Sequence, residues 1–279
     1  MSKHERLQAC VLFALSLCAA LAMPAPVSAQ ESGGDSAAAP AATAQDLPAA
    51  TTIIQRYIEA SGGVEAIEGQ KARRATGTIE APAQGIRGDV ETLAAPPDKL
   101  RLKIVIPGLG EIRSGYDGTT GWLIHPAFGP MVVEGRMLQQ TQQQADMRSM
   151  LHPGRFVKRM ETVERTEFDG RDCYKVKVVT QWDEEYFEFF EVDSGLLAGS
   201  IRKLASPMGE LESTTTVGDY EEVDGVLLPT RVVQTTMGME QVVKINQIET
   251  VEPGPDAFAL PAEIRALVAG TEGSPGGGR

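Results

Sequence analysis

Histidine, cysteine and carboxylate side chains could carry catalysis or hold a metal, and this sequence spaces them poorly for either. Of its three histidines, His4 stands in the opening residues. His125 follows a strand-like run and precedes Pro126. His152 precedes Pro153 at the end of a helical run, where a positive ring would suit the helix dipole. The sequence holds no HxxxH, HxH or CxxC spacing and no glycine-rich phosphate loop, so neither a metal nor a cofactor is expected. Cys173 lies inside a strand-like run with no histidine near it, which suits a packing thiol better than a nucleophile. Asp183, Glu184 and Glu185, with Glu188 and Glu191 beyond, offer the paired carboxylates of hydrolysis. Their setting, a hairpin tip running into a strand, reads instead as solvated acids. No catalytic residue is expected and the chain is not read as an enzyme. A hydrolase using His125 or His152 with carboxylates is the enzymatic alternative.

The apolar residues say more. Within residues 99–106, Leu100, Leu102, Ile104 and Ile106 alternate with Lys99, Arg101 and Lys103. One strand therefore has a continuous apolar face and a basic one. Residues 186–192 carry aromatics on both faces: Tyr186 and Phe190 on one, Phe187 and Phe189 on the other. One face must pack on helix or sheet; the second is free to line a cavity or a covered surface. Met147, Met150 and Leu151 close a glutamine-rich helical run, and methionine is an adaptable lining for apolar ligands. Trp122 and Trp182 suit core packing or ligand contact.

The first residues prescribe a destination. Lys3 and Arg6 precede a nearly unbroken apolar run over residues 7–21, and Val27, Ser28 and Ala29 make a small-residue exit. That is a secretory leader, with cleavage expected after Ala29 and the mature chain in the periplasm. Cys10 and Cys18 leave with it, so no internal disulfide can form. Cys18 follows Leu17, too large for a lipidation site. The formal charge is −12 from 26 basic and 38 acidic residues. Lys3, Arg6 and Glu5 give the leader +1, so the mature chain carries −12 minus 1, or about −13. The densest basic cluster left is Lys71-Ala72-Arg73-Arg74, and that balance argues against nucleic acid and anionic membrane surfaces as partners.

These groups need elements to position them. Residues 30–48, mostly Ala, Ser, Gly and Pro, read as a disordered linker, and residues 269–279 as a disordered tail. Between them a single domain spans residues 49–268. It opens with a helix over residues 48–60, where Ile53, Ile54, Tyr57 and Ile58 recur at helical spacing before Ser61-Gly62-Gly63. A second short turn covers residues 64–68. From residue 72 the period is two. Asp117-Gly118, Asp169-Gly170 and Asp224-Gly225 read as tight hairpin turns, and Asp193-Ser194-Gly195 as a longer one. One helix over residues 137–150, with five glutamines, interrupts the strands. A last short helix covers residues 261–268. About ten strands joined by tight turns form a mainly β protein with α (α+β): one strongly curved antiparallel sheet with helices on its concave face.

Five stretches in order resemble one family. Residues 58–67 (IEASGGVEAI) are similar to the helix–GG–helix opening of proteins related to the lipoprotein carrier LolA. Residues 116–122 (YDGTTGW) resemble that family's "DG..GW" hairpin. Residues 168–174 (FDGRDCY), 186–197 and 220–229 (YEEVDGVLLP) resemble later ones. The resemblance implies an unclosed half-barrel with helices as its lid and a hollow for acyl chains. The expected function is a periplasmic carrier or binding protein for an apolar ligand, a lipid or the acyl chains of a lipoprotein. An envelope membrane protein is a further partner and the state is monomeric. The expected ligand site is the apolar row Leu100, Leu102, Ile104 and Ile106 facing Met147, Met150 and Leu151, with Trp122 at the rim. The alternative is an envelope interaction or stress-sensing module whose core is filled by its own side chains.

Overall fold

The computed structural model describes residues 47–272. The expected leader, its cleavage site and most of the linker lie outside the described residues. The elements run α1 (Ala50–Ala60), α2 (Gly63–Glu68), β1 (Arg73–Ala81), β2 (Ile86–Ala95), β3 (Lys99–Ile106), β4 (Gly110–Tyr116), β5 (Gly121–His125) and β6 (Gly129–Val133). After α3 (Gly135–Ala145) come β7 (Val157–Phe168), β8 (Arg171–Thr180), β9 (Glu185–Glu191), β10 (Leu197–Ser206), β11 (Gly209–Val223), β12 (Val226–Thr236), β13 (Met239–Thr250) and α4 (Ala262–Glu272).

One antiparallel sheet of 13 strands takes the order β6-β5-β4-β3-β2-β1-β13-β12-β11-β10-β9-β8-β7 and does not close. Two meanders are joined where β13 returns to pair with β1. Three strands exceed the ten expected: β1, β2 and the short edge strand β6, whose Gly-Pro start hides its alternation. Register shifts at Thr76/Gly77, and a Cβ on Gly77 would lie 2.0 Å from the Lys244 carbonyl oxygen. Only glycine allows the two strands to meet at this bulge, which bends the sheet.

Turn chemistry explains the register. Asp169-Gly170 and Asp224-Gly225 both hold two consecutive positive φ values (51° and 71°; 51° and 77°), the two-residue hairpin geometry that Asp-Gly favours. Asp117-Gly118 differs from that expectation. Its loop runs four residues, because the Asp117 carboxylate accepts from the backbone N–H of Thr119 (2.8 Å) and Thr120 (2.7 Å) and so widens the turn.

The apolar row on β3 faces inward as its alternation requires. Leu102, Ile104 and Ile106 join Ile53, Ile54 and Tyr57 of α1 and Tyr186 and Phe190 of β9 in one buried cluster. The Tyr57 and Phe190 rings lie 5.4 Å apart. Each such burial contributes about 1.5–3 kcal/mol. The opposite face has its own small cluster, with Phe168 stacked on Phe189 at 3.9 Å beside Cys173 and Ala198. That accounts for the aromatics on both sides of β9. The chain after β13 then crosses this outer face. Arg101 donates to the Ala257 carbonyl (3.2 Å), Arg113 pairs with Glu263 (3.3 Å), and Ile264 of α4 is fully buried. α4 continues to Glu272, past the Val268 end expected from sequence. Unlike α1 and α3, it covers the outer face.

Candidate functional site

α3 lies across the sheet, touching β4 and β5 on one side and β10 on the other. It ends at Ala145, not at Met150, because Asp146 turns extended (φ −69°, ψ 99°). The Asp146 carboxylate instead accepts from the Arg148 N–H (2.8 Å) and from Arg155 (2.9 Å). Met147, Met150 and Leu151 therefore sit on the turn after the helix, and the helix itself presents glutamines. Gln140, Gln143 and Gln144 are all buried. α3 is held both by these polar groups and by a few apolar ones, Met137, Leu138 and Ala145, which pack on the core.

Those bonds are specific. The Gln140 side-chain N–H donates to Glu184 (3.0 Å) and to the Lys203 carbonyl (2.9 Å). Its side-chain oxygen accepts from the Ala205 N–H (2.9 Å). Gln143 donates to the Tyr186 hydroxyl (3.1 Å) and accepts from Arg202 (3.2 Å). The Arg202 guanidinium lies 4.6 Å from the Tyr186 ring centre and 3.7 Å from Glu184. The Trp182 indole N–H donates to the other Glu184 oxygen (3.0 Å).

The expected ligand residues divide among several places. Leu102, Ile104, Ile106 and Met150 share the main core, while Leu100 and Met147 pack with Tyr116 and Ala145 beside it. The β3 row is at most 4% exposed, so it is packed interior. Trp122 takes the other face. It pairs with Gly115, which pairs with Arg101, and the indole lies where a Gly115 side chain would be. Met150 and Leu151 line a surface groove of about 420 Å³ between α1, α2 and residues 150–153. Ile54, Ile58 and Met160 complete its apolar wall, with Glu59, Glu68 and His152 among its polar residues.

No family model matches the chain, and no curated protein matches its sequence. Solved structures do match. The chain aligns over 77% of its length with 99% of a LolA superfamily protein from Nitrosomonas europaea, at a TM-score of 0.51 and 15% identity. It aligns over 75% with 95% of a DUF1329 family protein from Desulfovibrio piger, at a TM-score of 0.50 and 11% identity. The chain shares the fold of these two structures.

In this half-barrel several of the groups that could do chemistry are held in structural contacts. His125 is buried; its Nδ1 accepts from the Ala127 N–H (3.0 Å) and burial holds its pKa below the usual value. His152 is exposed. No group of three or more His, Cys, Asp or Glu side chains among the described residues could hold a metal. Of the acidic run, Asp183 and Glu185 pair with Lys158 and Lys177 at the surface. Glu184 and Glu188 are buried, which corrects their reading as solvated acids. The periodicity of β9, read from its aromatics alone, hid that Glu188 shares the inner face with Tyr186 and Phe190.

Burial pushes the Cys173 thiol up to about 11. At pH 8 only about one thiol in a thousand is then ionised, and the side chain is fully enclosed. Cys173 is expected to stay unlabelled by a thiol reagent in folded protein and to react at once in denaturant. Rapid labelling of the native protein would show that the outer cluster opens.

Proposed function

We propose that the protein is a binding or carrier protein of the bacterial envelope that takes an apolar chain, of a lipid or of a lipidated protein. The observation that carries this reading is the groove between α1, α2 and the turn after α3. Ile54 and Met150 belong at once to the sealed core and to the groove wall, so the apolar interior reaches the surface there. Its volume of about 420 Å³ falls within the range of small-molecule sites, roughly 300–1,000 Å³. The mouth supplies the first contacts. The row from Leu100 to Ile106 becomes available only where α1 or α3 moves. The sequence leader supports an envelope address. His125 is buried and its Nδ1 accepts a backbone N–H, which favours binding over hydrolysis at that residue.

The tight packing of the β3 row favours a second reading, an interaction or stress-sensing module with a filled inner face. A fluorescent fatty acid separates the two. On the carrier reading, wild type binds it, and Ile58→Asn or Leu151→Asn weakens binding by about 1–2 kcal/mol, or 5–30-fold. Val105→Asn, on the basic face of β3, leaves it unchanged. Folded wild type that binds no probe would leave the interaction module standing.

A further inference from the structure

Toward α3, the inner face of β9 to β13 is polar where a carrier of plain hydrocarbon would be apolar. Strand register places Glu188, Ser200, Thr215, Gln234 and Gln241 in one row across β9 to β13. None of the five is more than 6% exposed. Toward α3 the next positions are Tyr186, Arg202, Ser213 and Thr236. Away from it they are apolar, with Phe190, Val217, Val232 and Val243 in the core beside α1. Across β9 to β13 the hollow is therefore layered, apolar beside α1 and hydrogen-bonding toward α3, while β3 and β4 meet α3 through Leu100 and Tyr116.

Part of this layer satisfies itself. The Gln234 amide donates to the Ser213 hydroxyl (2.7 Å), which also accepts from Thr236 (2.9 Å). Other atoms do not. The Gln234 Oε1, Gln144 Oε1 and Ser200 Oγ atoms and the Arg202 Nε are buried without a hydrogen bond inside the protein. Buried polar atoms in folded proteins are nearly always bonded. Two amide oxygens accept, a hydroxyl does both, and a guanidinium N–H donates. A group that both gives and takes hydrogen bonds fits all four, and a hydrocarbon fits none. Glu188 stands in the same row, and Arg202 is already drawn to Glu184, so an anionic group is disfavoured.

The cover over this layer can be exchanged. α3 is attached through side-chain hydrogen bonds, each worth only about 0.5–1.5 kcal/mol net, and through the few apolar contacts of Met137, Leu138 and Ala145. It runs between Gly135, at φ 56°, and the extended Asp146, two places where the backbone can turn. We propose that the layer beneath α3 is a binding site for an uncharged, hydroxyl-rich group, sugar- or polyol-like, carried by the same amphiphile whose apolar chain the protein takes. The amphiphile rests on the carrier reading above; the polar site does not.

Trp182 reports on this site directly, since its indole bonds Glu184 next to Gln140. In a Trp122→Phe background its fluorescence can be followed during titration with octyl glucoside, octanoate and methyl glucoside, the first two below micelle formation. Octyl glucoside is expected to bind at least about tenfold more tightly than octanoate and to shift the Trp182 emission. Ser200→Ala and Gln144→Met should each lower glucoside affinity about fivefold or more, leave octanoate unchanged, and hold or raise the melting temperature. Should one of them misfold, the other decides. Equal affinity for octyl glucoside and octanoate, or variants that only raise the melting temperature, overturns the polar site and leaves the carrier standing. Glucoside binding without any fatty-acid binding supports the polar site and overturns the carrier. Methyl glucoside binding as tightly as octyl glucoside supports the site with a free sugar as its ligand and overturns the amphiphile. No binding of any probe overturns both.

Discussion

Ile104→Asn will collapse the core before it reveals anything about a ligand. Ile104 is fully buried, paired with Val90 on β2 and Ile112 on β4. Removing its side-chain volume costs about 2–5 kcal/mol, and a buried amide without partners adds about 1–3 kcal/mol. The sum is a large share of a domain's usual stability of about 5–15 kcal/mol. At roughly 2–4 °C per kcal/mol for a chain of this size, the melting temperature should fall by about 6 °C or more. Lys103→Asn is the control. Lys103 sits on the outer face, half-exposed and paired with Glu111 at 3.0 Å, and its loss should cost less than about 1 kcal/mol. Thermal melts of the two variants decide. An Ile104→Asn protein that melts within a couple of degrees of wild type would mean that β3 is not packed as described.

That variant also marks the boundary between what the sequence could and could not say. Alternation in β3 establishes which side chains share a face, and hairpin chemistry at Asp169-Gly170 and Asp224-Gly225 establishes register. Neither says what the shared face meets. A row packed against a helix and a row lining a cavity have the same pattern, so Leu100 to Ile106 could be placed but not assigned. Trp122 shows a related limit. Its strand was legible, but Gly121-Trp122-Leu123 does not reveal that the indole is buried on the outer face, over Gly115, on the side that a segment more than 130 residues away crosses. On β10 the apolar pattern misleads outright: Ile201 faces outward, with Phe187, while Ser200 and Arg202 face inward. Polar side chains that stand side by side across five strands leave no periodic trace in any one of them. The glutamines of α3 were visible, but glutamine on a helix ordinarily means solvent. Only the tertiary structure gives them partners.

Gln140→Leu should release α3 while leaving the sheet folded. β9 pairs with β10 only as far as Ile201. Beyond that point β10 presents backbone groups with no neighbouring strand, and the Gln140 amide takes them. Its N–H donates to the Lys203 carbonyl and its oxygen accepts from the Ala205 N–H, so one side chain does the work of a strand residue. The same N–H donates to the buried Glu184 carboxylate. Leucine keeps the approximate volume and none of these bonds. A buried N–H and a carbonyl would be left unpaired and Glu184 would lose a donor, each at about 1–3 kcal/mol. Relaxation of the helix into solvent is the cheaper response, because α3 is attached by few apolar contacts. Amide exchange across residues 135–145 should therefore quicken by about 30- to 1,000-fold, equivalent to roughly 2–4 kcal/mol. Exchange in β1 and β13, at the centre of the sheet, should change little. Gln140→Glu supplies the internal check. It keeps the acceptor for Ala205 but sets a second carboxylate against Glu184, so α3 should be loose at neutral pH. Protection should recover on acidification, when a protonated Glu can donate again. If exchange in α3 is the same in Gln140→Leu as in wild type, the glutamine is not what holds the lid.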